Sequence, residues 1–506
     1  MTADIAGWRG RGAVALVVNL VLTAATVVGA YLYRLPCFGP TFDANGTTSG
    51  DLVAAWFGKG CYTDFQVLWG GRSLFEHLFP YVNGGTAADG SLLPGSIEYP
   101  VLSGLLTWVV ALPASTDLAF YTAFALVLGV CALGVTALLV RLAGWRALWW
   151  SLAPGVFLYA TYNVEMFVVL LATAGLWAAW RAAGSADRST RWLVASGVLL
   201  GLGAAAKLYP LLFVVPVALW ALLPRTRVPG ETPWSGLRWR GLVAVVVPAV
   251  GVLLALNVPF MLVNVDGWMA GVRFQWTRDI DGSTNTIWYW GLRPYSDRES
   301  VQALLRTVVS AATLIGILAP VVWGVVRWWR RGEFGWLQVS AAMLMAYLLL
   351  NKVHSPQYML WLIPFFVLLR IRWPWIVAYY VADVFTGVGF FARAAAGTAS
   401  IEASVWPQIF ILGVWGRAIL LFVLFFVAMR ARPVWAGSRQ DPLAGDLGEP
   451  ARRRDRHGRR VVGVRARGGG GLDAVLPVGT DGAHGGAADA ERHGEHRQGA
   501  HHERRA

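Results

Sequence analysis

Apolar stretches of about 15 to 25 residues recur along most of the chain, and each is close to the roughly 20 residues that a helix needs to cross a bilayer. Of the 506 residues, 56% are hydrophobic and only 14% are charged. The mean hydropathy is +0.51. This composition leaves too little polar surface for several soluble domains. Because a bilayer offers backbone groups no water, spanning segments satisfy their hydrogen bonds internally, as helices do. The sequence therefore predicts an all-α polytopic membrane protein.

Short connections that contain arginine orient these helices, because cytoplasmic loops carry an excess of basic residues. With an inside N-terminus, the total is about 12 spans. The inner connections are 141–146, 181–192, 225–240, 327–331, 370–372 and the residues after 429, and the outer ones are 34–98, 112–117, 160–165, 207–210, 263–300, 351–357 and 393–407.

Two segments allow a second interpretation. The apolar run 13–32 follows Arg9 and Arg11 and could be a signal peptide, but it is longer than a typical signal core, so we expect an uncleaved first helix. Residues 100–112 are too short for a comfortable span, and we interpret them as re-entrant or interfacial. The alternative is a full crossing, which would place 141–146 outside.

Charge and cysteine content restrict the partners. The net charge is +14, but the basic residues are spread over many short loops, so topology explains them better than binding to nucleic acid does. Cys37, Cys61 and Cys131 imply no disulfide framework. A Cys37–Cys61 bridge and two unpaired cysteines are equally compatible with the sequence.

Composition changes after about residue 430 to Arg, Gly, His, Asp and Ala without periodicity. Such a segment cannot bury enough apolar area to become ordered. We therefore predict a membrane domain over 1–430 and a disordered basic cytoplasmic tail over 431–506.

The polar residues of the membrane domain concentrate on the predicted outer side. Both histidines outside the tail, His77 and His354, lie there. So do most carboxylates, whereas the inner loops carry chiefly arginine. The carboxylates of the outer side are Asp64, Glu98, Glu165, Asp279, Asp281 and Glu402. This asymmetry argues against a cytosolic substrate.

One segment places six polar side chains between the apolar runs 336–350 and 359–369: Asn351-Lys352-Val353-His354-Ser355-Pro356-Gln357-Tyr358. Polar groups at the ends of membrane helices usually face a cavity, a bundle interior or the aqueous boundary. Ser355 and Pro356 can start the following helix. Lys352 and His354 remain candidates to bind a phosphate or to move a proton.

Four further residues combine a functional interpretation with a structural one. Asp64 could be a general base, since low dielectric raises a carboxylate pKa, or it could cap a helix. Glu165, beside Asn163, could grip a sugar or serve as a first-turn acid. Lys207 could bind a lipid phosphate or snorkel to the interface. Arg273, with Arg278, could clamp a phosphate, although local pairing of Arg278 with Asp279 or Asp281 is an equal alternative.

Asp383 lies near the middle of the run 375–391, where an unpaired carboxylate is costly. We expect it to pair with a basic group such as Arg393 or to face a cavity. It is also the residue that best suits a transporter.

Taken together, these pieces resemble the family 87 glycosyltransferases, which are GT-C membrane enzymes of actinobacteria of the polyprenyl-phosphate-mannose-dependent α-mannosyltransferase type. The resemblance covers roughly residues 12–430, and 351–358 is its most specific part. It rests on the carboxylate and Glu98-Tyr99-Pro100 of the first outer loop, on Lys207-Leu208-Tyr209-Pro210, on the Arg-rich outer loop and on 351–358. Two departures are Tyr162-Asn163-Val164-Glu165 in place of an Asn-Trp-Asp type element, and Glu98-Tyr99-Pro100-Val101 in place of a double proline.

The resemblance implies a GT-C-like bundle with a long first outer loop, 34–99, and a second large one, 263–300. It implies a sugar donor linked to polyprenyl phosphate, usually mannose, with Asp64 as the base of an inverting displacement and His354 as the family's outer-loop histidine. No metal or other cofactor is needed, because a lipid phosphate is already a competent leaving group. The predicted phosphate contacts are Lys207, Arg273, Lys352 and His354, and the predicted sugar or acceptor contacts are Tyr62, Tyr81, Glu165 and Gln357.

The resulting hypothesis is a mannosyltransferase of the cell membrane that acts on a glycolipid or glycan acceptor at the outer face. An arabinofuranosyltransferase on the same scaffold is the enzymatic alternative, and a lipid or solute transporter is the alternative of another class. A single displacement site requires Asp64 to lie within about 15 Å of at least one of the predicted phosphate contacts, because catalytic groups must reach adjoining atoms.

Overall fold

The computed structural model describes residues 2–52, 60, 62–88, 90–184, 188–224, 236–295, 298–395 and 405–436, and the short segments 452–454 and 460–462. Helices dominate this part of the chain. The longer ones are α1 (Thr2–Arg34), α2 (Val101–Ala111), α3 (Asp117–Ala143), α4 (Glu165–Ala183), α5 (Thr190–Ala206), α6 (Leu211–Leu222), α7 (Trp239–Val263), α8 (Val265–Thr277), α9 (Glu299–Arg331), α10 (Trp336–Leu350), α11 (Met359–Leu368), α12 (Trp373–Ala395) and α13 (Trp406–Arg430). Short helices and turns lie at Leu35–Cys37, Asp64–Gln66, Val67–Gly71, Leu74–Glu76, Gly144–Ala147, Leu148–Ser151, Pro154–Tyr159, Ile287–Leu292, Arg293–Tyr295 and Pro356–Tyr358.

The all-α prediction for the membrane domain is confirmed. Within the described residues, seven helices are long and apolar enough to cross a membrane: Gly12–Cys37, Asp117–Ser151, Glu165–Ala183, Trp239–Val263, Ser300–Arg331, Trp373–Arg393 and Trp406–Arg430. Five further apolar helices have 10 to 17 residues: Val101–Ala111, Thr190–Ala206, Leu211–Leu222, Trp336–Leu350 and Pro356–Leu368. The number of about 12 spans stays a prediction.

Several of the predicted inner connections contact one another. Arg146 donates hydrogen bonds to the carbonyls of Phe366, Val367 and Leu369. Trp328 donates to the carbonyl of Pro224 at 3.2 Å, and Arg327 donates to that of Met429 at 3.2 Å. These contacts bring 141–146 next to the residues just before 370–372, and they bring 327–331 next to Pro224 and Met429. The assignment of these connections to the inner face stays a prediction.

Two of the predicted outer connections, 34–98 and 112–117, contact each other, and α2 contacts the first of them. Trp108, near the end of α2, donates to the carbonyl of His77 at 2.9 Å, and Tyr81 donates to that of Pro100, at its start, at 3.0 Å. Asp117 follows α2 and receives hydrogen bonds from the backbone and hydroxyl of Thr48. Both ends of α2 therefore contact the first outer loop. The arrangement agrees with the interpretation of 100–112 as re-entrant or interfacial.

The first residues of the predicted tail contact the helical part of the chain. Residues 431–436 are ordered: Arg370 and Val434 donate backbone hydrogen bonds to the carbonyls of Arg432 and Leu368. The chain divides into two compact units, Met1–Leu447 and Gly448–Ala506. In the second unit, β1 (Arg452–Arg454) pairs antiparallel with β2 (Arg460–Val462). The remaining tail residues lie outside the described ranges, and their predicted disorder stays a prediction.

The cysteines differ in state. Cys37 is disulfide-bonded, whereas Cys131 is a free, buried thiol. Cys61, the partner we considered for Cys37, lies outside the described residues.

Candidate active site

Asp64 begins the short helix Asp64–Gln66, but it does not cap it. The hydroxyl of Thr63 accepts the hydrogen bond from the backbone of Gln66 and thereby fills the capping position. The carboxylate of Asp64 instead accepts hydrogen bonds from the hydroxyl of Tyr99 and, at 3.3 Å, from the side-chain amide of Asn163. The structural alternative for Asp64 is thereby removed.

The environment of Asp64 makes its carboxylate a better proton acceptor than an exposed aspartate. Burial raises the pKa of this carboxyl above its ordinary value. The hydrogen bond from Tyr99 lowers the pKa and so opposes this effect, and the positive charge of Lys207 acts in the same direction as Tyr99. A carboxylate suits a general base when its pKa is raised and hydrogen bonds still stabilise its ionised form.

Glu165 and Lys207 form an ion pair beside Asp64. Glu165 is fully buried and also accepts a hydrogen bond from the indole of Trp361 at 2.5 Å. The amide of Asn163 lies 3.4 Å from the carboxylate of Glu165, and the same amide bonds to Asp64. Three consecutive contacts thus join Asp64 to Lys207, so the two lie well within the distance that a single displacement site requires.

Aromatic rings surround the ammonium of Lys207. It lies 5.0 Å from the ring centre of Tyr358, 5.5 Å from that of Trp361 and 5.9 Å from that of Tyr99. Burial lowers the pKa of Lys207, but the charge and hydrogen bond of Glu165, together with Tyr358 and Asp64, raise it, and the net pKa is raised. Lys207 therefore carries its positive charge at neutral pH, and the rings favour a cation electrostatically.

Trp361 joins two of the sequence motifs. Its ring stacks against Tyr209 at 4.1 Å and against Tyr358 at 4.0 Å between ring centres. Tyr209 belongs to the segment 207–210, and Tyr358 ends the polar segment 351–358. The motifs that are separated in sequence therefore meet around one pair of charges.

A cavity of about 890 Å³ opens next to this cluster. Its wall includes Tyr99, Leu208, Lys352 and Arg306, the carboxylate of Glu98, and a mixture of apolar, small and polar residues of α8 and α9. Lys352 donates hydrogen bonds to the carbonyls of Trp276 and Arg278 at 3.0 and 3.2 Å. Burial lowers the pKa of Lys352, and the charges of Arg306 and Arg278 lower it further. This crowding of cations favours an anionic ligand.

His354 is buried away from this cavity. Its backbone donates to the carbonyl of Thr284 at 2.8 Å, and its own carbonyl accepts from Arg417 at 3.2 Å. Burial, reinforced by the charge of Arg417, holds the pKa of His354 well below its ordinary value. The structure therefore places a neutral imidazole in a packed position, and no described contact joins it to Asp64 or Lys207.

Asp383 pairs with a basic group, as one of the two predictions held, but that group is Arg417 and not Arg393. The guanidinium of Arg417, on α13, lies 3.2 Å from its carboxylate, and both side chains are fully buried. Arg393 instead lies over the rings of Trp290 and Phe410. Arg417 stands in the middle of an apolar helix, where a basic residue signals a buried partner, so the sequence offered this signal and we missed it. Asp383 is paired and gives the transporter hypothesis no support.

The remaining predicted residues occupy different positions. Arg273 is not brought to the cluster, because it pairs with Asp266 at 2.9 Å and both side chains are largely exposed. Tyr81 is buried and donates to the carbonyls of Tyr99 and Pro100, which fixes the backbone beside Asp64. The ring of Tyr62 lies 5.4 Å from that of Tyr162. Gln357 is buried next to Tyr358, and its side-chain oxygen has no hydrogen-bond partner.

Tyr99 and Trp361 are the site residues that the sequence interpretation did not single out. Tyr99 belongs to Glu98-Tyr99-Pro100, which the sequence interpretation used only as a part of the family resemblance. Trp361 lies in an apolar helix, where nothing in the sequence distinguishes an indole that bonds to a carboxylate from one that only packs. Within the described ranges, no three His, Cys, Asp or Glu side chains form a group that could hold a metal ion.

The family model that matches the chain places it in the GT-C glycosyltransferase superfamily. Residues 160–431, more than half of the chain, match the family model described as Mannosyltransferase (PIG-M). The chain belongs to this family.

The solved structures that resemble the chain are distant. ArnT from Cupriavidus metallidurans bound to undecaprenyl phosphate is 16% identical, with 81% of this chain and 76% of that chain covered and a TM-score of 0.38. The Archaeoglobus fulgidus oligosaccharyltransferase in its apo form is 10% identical, with 80% of this chain covered and a TM-score of 0.35, and the chain spans 56% of its length. None of the curated proteins matches the chain.

Proposed function

We propose that this protein transfers a mannosyl group from a polyprenyl phosphate donor to a lipid or cell-envelope glycan acceptor at the outer face of the membrane, in the manner of the family 87 enzymes. One observation carries the proposal. The carboxylate of Asp64, whose pKa burial raises, is joined through Asn163 and Glu165 to the ammonium of Lys207. Displacement at a sugar that is linked to phosphate needs a base for the attacking hydroxyl and a cation for the leaving phosphate, and this site holds both.

In the proposed reaction, Asp64 accepts the proton of the acceptor hydroxyl. The hydroxyl oxygen forms a bond to the anomeric carbon while the bond from that carbon to the phosphate oxygen breaks. The polyprenyl phosphate leaves with the electron pair of that bond, so negative charge grows on its oxygen. Lys207 stabilises this charge, and a single displacement inverts the anomeric configuration.

The cavity beside Tyr99 suits such a donor. Its wall combines apolar and small residues of α8 and α9 with the cations Lys352 and Arg306. An isoprenoid chain can lie along the apolar part, and the phosphate can then lie between Lys352 and Lys207. Arg306 also pairs with Asp279 at 2.9 Å, which keeps its guanidinium at the cavity.

The sugar and the acceptor would occupy the aromatic side of the site. Tyr358 and Tyr99 flank Lys207, and rings of this kind offer a sugar both an apolar face and a hydroxyl. Gln357 and Tyr62 remain proposed contacts to the sugar or acceptor, because each lies next to a residue of the cluster. Glu165 acts mainly by holding Lys207.

The test is transfer of labelled mannose from polyprenyl-phosphate mannose in right-side-out membrane vesicles that contain the full chain. Asp64→Asn should reduce the product at least a hundredfold, since general bases typically contribute about 10² to 10⁴ in rate. Asp43→Asn is the matched control, because Asp43 is an exposed aspartate of the same loop that bonds only backbone groups.

Undiminished product from Asp64→Asn would reject the assigned base. If the wild-type chain used only polyprenyl-phosphate arabinofuranose, the sugar assignment would be wrong and the donor class would stand. If it used neither donor, the proposed function would fail.

A further inference from the structure

Arg34 is a buried cation at the end of α1 that the proposed reaction does not use. Its side chain is only 2% exposed. The guanidinium donates hydrogen bonds to the carbonyl of Leu158 and, at 3.4 Å, to that of Tyr62. It also lies 5.3 Å from the ring centre of Tyr162 and 5.7 Å from that of Tyr33. The residue is therefore fixed in place by neutral groups.

The positive charge of Arg34 has no counter-ion among the described residues. No ion pair of the described carboxylates includes it, and its Nη1 atom is buried without a hydrogen-bond partner. Burying a charge without a partner is strongly unfavourable, and so is leaving a buried donor unsatisfied. Each cost would be offset by an anion that accepts a hydrogen bond from Nη1.

A cavity of about 130 Å³ lies beside this guanidinium. Its wall is formed by the end of α1, by Leu158 and Tyr159, and by Gly387, Val388 and Phe391 of α12. The volume corresponds to roughly four water molecules at about 30 Å³ each, which is enough for a phosphate group and too little for a sugar with its lipid. At the mouth, Tyr33 and Val388 are 43% and 39% exposed, so the cavity opens through an apolar rim.

We propose that this cavity between α1 and α12 binds a phosphate oxyanion through Arg34. The apolar rim, at the end of a helix that is able to span a membrane, fits a phospholipid whose head group enters the cavity while its chains stay outside. The proposal does not rest on the proposed transferase activity, because its argument uses neither Asp64 nor Lys207 and takes only the backbone carbonyl of Tyr62.

The site is separate from the Lys207 cluster but connected to it. Tyr162 stands between them: its ring contacts Arg34, and its carbonyl accepts the backbone hydrogen bond of Asp64 at 3.1 Å. Tyr62, two residues before Asp64, accepts a hydrogen bond from Arg34. A phosphate held by Arg34 would therefore steady the segment that carries Asp64 without reaching the carboxylate.

The test measures binding of phosphatidylglycerol to the purified full chain in neutral detergent, by native mass spectrometry and by the shift in the unfolding temperature. Arg34→Gln removes the charge, and Ala392→Leu fills the cavity while keeping the charge, since Ala392 lines it. Both should weaken binding about tenfold or more, as expected for the loss of a charge-assisted hydrogen bond. Arg298→Gln is the matched control, because Arg298 is exposed and lies over Tyr295.

Inorganic phosphate forms a second arm. If it raises the unfolding temperature of the wild type as much as the lipid does, and Arg34→Gln abolishes the rise, the ligand is a free oxyanion and the site is supported. If only the lipid acts, the ligand is a head group. The proposal is overturned if the wild type binds neither probe, or if Arg34→Gln or Ala392→Leu folds and binds phosphatidylglycerol as tightly as Arg298→Gln does. Because Ala392→Leu retains every contact of Arg34, the test stands even if Arg34→Gln does not fold.

Discussion

Glu165 and Lys207 form an ion pair across 42 positions of the chain, with the carboxylate fully buried and the ammonium 17% exposed. Glu165 begins α4, and Lys207 follows the last residue of α5. A second hydrogen bond from Trp361 fixes the carboxylate. The pair therefore sets where a cation stands relative to Asp64, and its energetics can be measured apart from the chemistry.

Replacing Glu165 by Gln should lower both stability and transfer. The negative charge of Glu165 raises the pKa of Lys207 against the effect of burial, so without it the ammonium either stays charged at a cost or loses its proton. Removal of one partner from a buried pair costs about 3 to 5 kcal/mol in the free energy of unfolding. Denaturant titration of the purified protein in detergent measures this loss.

The control for this stability experiment is Asp266→Asn. It breaks the pair between Arg273 and Asp266, whose side chains are 46% and 64% exposed. Exposed pairs contribute about 0 to 1 kcal/mol, so this variant should unfold almost like the wild type. Equal losses in Glu165→Gln and Asp266→Asn would show that the pair at Lys207 is no more than a surface contact.

Tyr99→Phe should move the acid limb of the pH–rate profile to higher pH. The hydrogen bond from Tyr99 stabilises the ionised form of Asp64 and so lowers its pKa, while burial raises it. Without the hydroxyl, the pKa rises further, and a larger fraction of the base is protonated at any acidic pH. Rates of mannosyl transfer between about pH 4 and pH 8 in wild type and variant measure the shift.

The prediction requires the acid limb of the pH–rate profile to lie at higher pH in Tyr99→Phe than in the wild type. A limb that stays in place in Tyr99→Phe would mean that Asp64 does not set it, and a limb that moves to lower pH would mean that the hydroxyl favours the protonated carboxyl. Tyr81→Phe provides a comparison, since the hydroxyl of Tyr81 donates to two carbonyls and not to Asp64.

The sequence predicted which polar residues lie on the same side of the protein. It predicted less well which of these residues are in contact. Arginine placement grouped several connections that contact one another in the structure, because membrane insertion acts on whole loops and their charge. It also placed Asp64, Glu165, Lys207 and Lys352 on one side. Pairing was harder: Glu165 was assigned to the sugar, but in the structure it holds Lys207, since a first-turn acid looks the same whichever way its side chain is used.

Arg273 and Asp383 show a second limit. Arg273 stands in an arginine-containing outer loop, and only the turn of α8 decides that it meets Asp266 rather than the cavity. Asp383 was expected to find a neighbour in sequence, but helix packing brought Arg417 from α13. Several charged residues could each have paired with Arg273 or Asp383, and tertiary packing decides which one does. A single sequence does not show how the helices pack, so the partner could not be predicted from it.

The pair between Asp383 and Arg417 should show coupling in a double-mutant cycle. Arg417→Gln leaves the buried carboxylate of Asp383 unpaired and also removes hydrogen bonds to the carbonyls of His354 and Asn285. The double variant Asp383→Asn with Arg417→Gln has no buried charge, so it should be more stable than Arg417→Gln alone. An interaction energy of about 1 to 3 kcal/mol is expected from denaturant titrations of the four proteins. Additive losses would show that the two side chains do not interact.

His354 should make the protein less stable in mild acid. Its pKa in the folded state lies well below its ordinary value because the ring is buried and close to Arg417, whereas in the unfolded chain it is about 6.5. Below about pH 6.5 the unfolded state therefore binds a proton that the folded state does not, and the free energy of unfolding falls by up to about 1.4 kcal/mol for each pH unit. His354→Asn should remove this component. Denaturant titrations at about pH 7.5, 6.5 and 5.5 bracket the pKa of histidine in the unfolded chain. They should show that the free energy of unfolding depends less on pH in the variant than in the wild type. Parallel curves for the two proteins would show that His354 takes up its proton in the folded state, which would contradict its burial beside Arg417.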